Sequence, residues 1–292
     1  MSVNSLGEED LAGRDLRNTR LKDYQLHGAD LSRCILQGTD LRGTDLQGAN
    51  LTGANLEGAN LAGVDLTSAT LHDTVLTWAI LKGAHLSGAD LHEGHLHGAD
   101  LCNADLQGAD LDQADLGDAA VRSTNLRGAR LTRVRLGGAD LKKATVASAD
   151  LEHASLAGAH MTETNLAEVR LSQADLTGAT FGGTDLTGAD LREARMREVM
   201  MGRSGRTGYV RLERADLSGA DLRDAKLSSV NFAGANLCGT DLGGVLAYEV
   251  ELTGAIWDLR TRWDYHHELA VQDASMPQPD GTFKVMKRYV MR

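Results

Sequence analysis

Apolar residues recur at every fifth position along most of this chain. The series runs from Leu6, Leu11, Leu16 and Leu21 to Met196 and Met201. Every member is apolar, and all are Leu except Val121, Val146, Met161, Phe181, Met196 and Met201. The residue two before each is usually Ala, Thr or Val, as in Ala49, Ala54 and Ala59. The residue just before is most often Asp or Asn, and the residue two after is very often Gly. This period is neither the roughly 3.6 of an amphipathic helix nor the 2 of a strand. On an α-helix each Leu would advance about 140° beyond the last, so no apolar face would form. A heptad seam fails on period. A collagen helix fails on composition, because Gly is not every third residue and Pro occurs only twice.

Units this short are stable only when stacked on their neighbours. The pattern predicts that Leu and the small residue two before it point inward together. The Asp or Asn, the variable residue and the Gly then face water. Gly tolerates turn dihedrals that other residues resist, and a short Asp or Asn side chain hydrogen-bonds the local backbone. The outcome is a coil of corners and very short straight segments.

The repeat is in register from about Leu16 to Met201 and again from Leu212 to Leu252. In this it closely resembles the pentapeptide repeat proteins. The resemblance implies an all-β solenoid, a right-handed quadrilateral β-helix whose square coils each take about 20 residues. On that plan the main block spans 1–201, a loop or bulged coil 202–211, a second block 212–256, and a cap with a basic tail 257–292.

Residues one coil apart should stack, which sorts side chains onto faces. On the face of Leu11, Leu31 and Leu51, the position before Leu includes Asp30, Asn50, Asp90, Asp110, Arg130, Asp150 and Arg170. Asp90, Glu93, Asp110 and Asp112 form the densest acidic patch, with Asp150 further along, and these five are the candidate binding residues. Arg130, Arg133, Arg135 and Arg170 interrupt the pattern. Each Asp also serves turn chemistry, which explains any single one of them. The net charge is −11. It keeps a protein soluble, opposes direct binding to nucleic acid or membranes, and attracts basic surfaces.

Duplex DNA carries one charge about every 3.4 Å along each strand, a spacing that regular carboxylates on a narrow solenoid approach. The resemblance adds a function. Members of one subgroup mimic DNA, engage a type II topoisomerase (DNA gyrase or topoisomerase IV) and protect it from a topoisomerase poison. The expected function is therefore non-enzymatic binding of such an enzyme. The alternative is a scaffold or regulatory solenoid with a different protein partner.

Segment 202–211 carries three Gly, three Arg and one Tyr, and reads as two repeats with one residue added. It is either a tolerated insertion or a contact loop, with Arg203, Arg206 and Tyr209 as the contact residues. Ala247 is undersized for a Leu slot, so Leu246 or Tyr248 is expected to compensate. After Trp257 the period is lost. Trp257, Leu259, Trp263, Tyr265, Leu269 and Val271 predict an end cap over 257–276 with a short helix at 266–272. The tail with Lys284, Lys287, Arg288 and Arg292 is a strand, a dimer arm or disordered, and a homodimer through this region is one expectation.

His72, His85, His92, His95 and His97 cluster, and His72 should stack on His92 with Asp73 and Glu93 beside them. No zinc-type spacing accompanies them, and outer positions of a repeat drift freely, so no metal or cofactor is expected. Flat coil walls offer no dry pocket for catalysis. Cys34 occupies an inward slot while Cys102 and Cys238 face out, which argues against a disulfide framework and for a reducing cytoplasm. The opening residues show no signal peptide, and no apolar run reaches membrane-spanning length.

Overall fold

The computed structural model describes residues 11–17, 19–202, 208–286 and 290–291. The chain divides into two compact units, 1–145 and 146–292, and each is described by itself.

In the first unit each side of the coil is a turn followed by a single parallel bridge. Asp30 pairs with Asn50, Asn50 with Thr70, Thr70 with Asp90, and Asp90 with Asp110. One pentapeptide, Ala49–Gly53, shows how the backbone is satisfied. Leu51 N–H donates forward to Thr70 O (2.7 Å) and Gly53 N–H to His72 O (2.9 Å), while Asn50 N–H donates back to Ala29 O (3.0 Å). Ala49 N–H closes a turn on Leu46 O (3.0 Å). The one amide left is Thr52 N–H, and it donates to the Asn50 side chain (3.1 Å). This is the physical reason for Asp or Asn before the Leu: it accepts from the only amide with no main-chain partner.

The residue two after Leu lies in the left-handed region. Gly53 has φ 63°, and Trp78 holds the same place at φ 57°. From Ala29 on, Leu and the small residue two before it are buried throughout this unit, as in Leu51, Ala54 and Leu56. A fully buried Leu contributes roughly 2 kcal/mol. At Thr44, Thr74 and Thr124, which replace Ala in the inward slot, the hydroxyl donates to a Leu carbonyl of the preceding coil. Thr44 reaches Leu21 O (2.9 Å), Thr74 reaches Leu51 O (2.9 Å) and Thr124 reaches Leu101 O (2.7 Å).

The second unit is built on a ladder of the same kind, with Asp150 paired to Arg170 and Arg170 to Asp190. The step then lengthens. Asp185 pairs with Arg211, and Asp190 with Asp216. Strand β1 (Thr180–Phe181) pairs with β2 (Met200–Met201), and Met201 lies beside Leu227 of β4 (Lys226–Asn231). The parse of two repeats plus one residue is therefore corrected: Leu212 begins the side directly after that of Met201. The reason is register, since Leu186 N–H donates to Arg211 O (2.7 Å).

Strand β3 (Val210–Arg211) also pairs with β4, and β4 with β5 (Leu246–Glu251), all in parallel. Phe181 and Phe232 fill Leu slots and are fully buried. At Ala247 the expectation fails. Leu246 is 66% and Tyr248 58% exposed, because they flank Ala247 on a strand and point away from the interior.

The last coil ends under a small antiparallel sheet. Strand β6 (Ile256–Trp257) pairs with β8 (Phe283–Val285), and β8 with β7 (Ser275–Pro277). Helix α1 (Glu268–Asp273) buries Val271. Trp257 stacks on Phe283 (4.5 Å), meets Trp263 edge-on (5.9 Å), and donates from Nε1 to Ser275 Oγ (2.9 Å). Strand β9 (Val290–Met291) lies antiparallel to β5 beside Val250 and Glu251. Among the described residues, the Leu246–Tyr248 half of β5 has β4 as its one strand neighbour.

Candidate functional site

The acidic candidates of the first unit are tied into the wall that carries them. Asp90 accepts the His92 amide (3.0 Å), and Asp110 the Asp112 amide (3.0 Å). Arg130 then reaches across from the next coil. Its Nη1 donates to Asp110 (2.8 Å) and its Nη2 to Asp112 (2.9 Å). The expectation that Asp112 points to water is corrected, since it is 2% exposed. Arg130, the Thr132 hydroxyl and Gln113 Nε2 cover it. Burial alone pushes its carboxyl up; the hydrogen bonds from Thr132 and Gln113 and the Arg130 charge outweigh burial and hold it below the ordinary value. Glu93 remains half exposed.

In the second unit Asp150 repeats the arrangement. It accepts the Glu152 amide (3.2 Å) and Arg170 Nη1 (2.8 Å), while Arg170 Nη2 bonds Glu152 (3.0 Å). Arg130 and Arg170, which interrupt the acidic pattern in sequence, thus bridge carboxylates in space. Fork-like pairs of this kind take much of the charge out of the surface field.

A polar ladder runs up the first unit at the position after Leu. It comprises His72, His92, Asp112 and Thr132. The His72 and His92 rings stack at 5.3 Å, only 8° from parallel. His92 Nδ1 lies 3.4 Å from Asp112 Oδ2, and His92 Nε2 lies 3.6 Å from Glu93 Oε1.

Of the loop candidates, Tyr209 is exposed, and Arg203 and Arg206 lie outside the described residues. The second unit also carries a feature missed in the sequence, a groove of about 670 Å³ on its outer wall. Its lining includes Phe181, Met200, Lys226, Leu246 and Tyr248. Met200, Leu246 and Tyr248 are exposed apolar residues. Met200 and Leu246 occupy the slot that elsewhere holds Asp or Asn, and that substitution was the available signal.

Comparison with known proteins places this construction. The model of the family described as pentapeptide repeats matches in eight copies, over 10–48, 44–83, 69–108, 79–118, 109–146, 147–183, 170–203 and 209–244. Among solved structures the chain is similar to HetL from the cyanobacterium Nostoc sp. strain PCC 7120, described as a pentapeptide repeat protein involved in heterocyst differentiation regulation. The identity is 32% over 78% of this chain and 91% of that one, with a TM-score of 0.46. A pentapeptide repeat protein of the Arabidopsis thaliana thylakoid lumen is 28% identical over 37% of this chain and 69% of its own, TM-score 0.26. QnrB1, a plasmid-mediated fluoroquinolone resistance protein, is 13% identical over 77% of this chain and 94% of its own, TM-score 0.27. No curated protein matched.

The chain belongs to the pentapeptide repeat family, and its architecture is the all-β repeat solenoid, consistent with a right-handed β-helix. This is a family of non-catalytic scaffold and binding proteins. Among the described residues no helix is long and apolar enough to cross a membrane.

Proposed function

We propose that this protein is a non-enzymatic solenoid that regulates a protein partner by binding an extended segment of it along the groove of the second unit. The observation that carries this reading is the coincidence of exposed apolar side chains with a free strand edge. Met200, Leu246 and Tyr248 line the groove, and Leu246–Tyr248 has an outer edge without a strand partner among the described residues. Unpaired strand edges recruit extended chains, and alternate side chains of the guest give specificity. Lys226 is the cation in the lining, so the fitting segment carries apolar residues and a carboxylate. The regulatory description of the 32% identical relative is compatible with such a role.

The test uses short peptides displayed on phage and selected against the full chain. Selected peptides should bind wild type and lose about tenfold or more, roughly 1.4 kcal/mol, on Leu246→Asp or Tyr248→Ser, at an unchanged melting temperature. Equal binding to both variants would overturn the groove.

A second reading is engagement of DNA gyrase or topoisomerase IV through the acidic wall. The net charge of −11 and the half-exposed Glu93 favour it. The bridging of Asp110, Asp112 and Asp150 by Arg130 and Arg170 weakens it. Supercoiling by purified gyrase, with and without a quinolone, decides it. Protection that is lost in Glu93→Lys supports it, and absence of binding at micromolar protein removes it.

A further inference from the structure

We propose that His72, His92 and Glu93 form a binding site for a divalent transition-metal ion of the zinc class on the outer wall of the first unit. Their ligand atoms all lie within 4.8 Å of one another. The groups around them favour which ring nitrogens face the centre. His72 Nδ1 lies 3.1 Å from His92 O. A carbonyl only accepts, so Nδ1 carries the hydrogen and Nε2 is left with its lone pair. His92 Nδ1 is buried and makes no hydrogen bond among the described residues, and the Asp112 carboxylate lies 3.4 Å from it. A carboxylate oxygen accepts, so a hydrogen on Nδ1 suits this contact and leaves the lone pair on Nε2. That lone pair looks toward Glu93 Oε1 at 3.6 Å. Two electron-rich atoms so placed offer a cation two ligands at once.

This arrangement is the one metal-binding histidines use. The distal nitrogen ligates while the other donates to a carbonyl or carboxylate that fixes the ring. Here the first ring has that partner in His92 O, and the second has the Asp112 carboxylate near enough to take the same part after a small ring rotation. The parallel rings come from the fold, because residues 72 and 92 hold equivalent places on successive coils. A zinc-class ion bonds nitrogen and oxygen at about 2.0–2.2 Å. Binding therefore draws the three atoms together by about an ångström, which the half-exposed Glu93 and a tilt of His72 allow. Two imidazoles and one carboxylate suit Zn²⁺, Ni²⁺ or Cu²⁺, and alkaline-earth ions poorly. Nearby histidines are engaged elsewhere: His95 Nε2 faces Asp73 (3.4 Å), and His97 faces Asp118 (3.8 Å) and Trp78. The bound ion would tie two coils together and stabilise the folded state by mass action.

The test is a titration of the full chain with Zn²⁺ by calorimetry and with Co²⁺ by visible absorption. One ion per chain is expected, with the d–d bands of a nitrogen–oxygen ligand set and a higher melting temperature in its presence. His72→Ala and Glu93→Gln lie on the outer wall, so both should fold as wild type by far-ultraviolet circular dichroism. Each should weaken binding by about tenfold or more, while His95→Ala should leave it unchanged. Unchanged stoichiometry and affinity in the His72→Ala, Glu93→Gln double variant would overturn the site. So would loss of the ion in His95→Ala, or no Zn²⁺ binding by wild type at roughly 100 µM.

Discussion

Glu93 and Asp112 carry the same charge on the same wall of the first unit, and their surroundings separate them. Replacing either with Lys changes the net charge by the same amount, so long-range attraction for a basic partner should fall equally. Stability should not. Asp112 is 2% exposed and accepts from Arg130, Thr132 and Gln113. A Lys there places an ammonium beside the Arg130 guanidinium and strands the Thr132 hydroxyl. Breaking a buried pair from one side costs about 3–5 kcal/mol. The Arg130 side chain is 54% exposed, so water takes up part of the loss and the lower figure, about 3 kcal/mol, applies. With about 2–4 °C per kcal/mol for a unit of this size, the melting temperature should fall by roughly 6–12 °C. Glu93→Lys should stay within about 0.5 kcal/mol of wild type. The assay is thermal melting followed by far-ultraviolet circular dichroism, near neutral pH with a chelator present. Equal melting temperatures for the two variants would refute the buried network. Reversing Asp90, Asp110 and Asp112 together cannot isolate binding, because Asp90 and Asp110 hold turn amides and Asp112 is buried.

The inward threonines make a matched pair. Thr39 Oγ1 is buried with no hydrogen-bond partner among the described residues, so Thr39→Val should stabilise by about 1 kcal/mol. Thr124→Val should destabilise by about the same amount, because it removes the bond to Leu101 O, although the Ala104 amide still serves that carbonyl (3.0 Å). Denaturant midpoints moving in the same direction would contradict the assignment. Acid should also act in a defined window. Arg17 beside Asp15 and Arg42 beside Asp40 hold those carboxyls down to about 2, from an ordinary 3.8. A carboxyl depressed in the fold supports folding above its unfolded pKa and loses that support as pH falls through the folded value. The melting temperature should therefore drop as pH goes from about 4 toward 2, and Asp40→Asn should shrink the drop. Leu106→Asp should abolish the cooperative melt of the first unit, since it buries an unpaired charge in the Leu ladder; a wild-type-like transition would show that the ladder is not the core.

Much of this protein was legible in its sequence. The period alone assigned Leu51 and Ala54 to the interior, Asn50 to the turn and Gly53 to the corner, and the stacking of His72 on His92 followed from the coil length. These properties are local and repeated: every pentapeptide must solve the same backbone accounting, and one coil solves it. Tertiary structure decided what depends on the coil above and the coil below. Arg130 reads as an interruption of an acidic row, yet it spans Asp110 and Asp112 and buries the latter. Leu246 and Tyr248 read as filler for Ala247, yet strand alternation turns them to water. Segment 202–211 reads as two repeats with one residue added, yet bridge register makes Leu212 the side directly after Met201. His92 and Glu93 are adjacent in the chain, but their convergence with His72, and the Asp112 that faces the buried ring nitrogen, are set by contacts between successive coils. A five-residue pattern specifies which way each side chain sets out. Which partner it meets depends on the long side chains of neighbouring coils, whose reach exceeds the spacing between them.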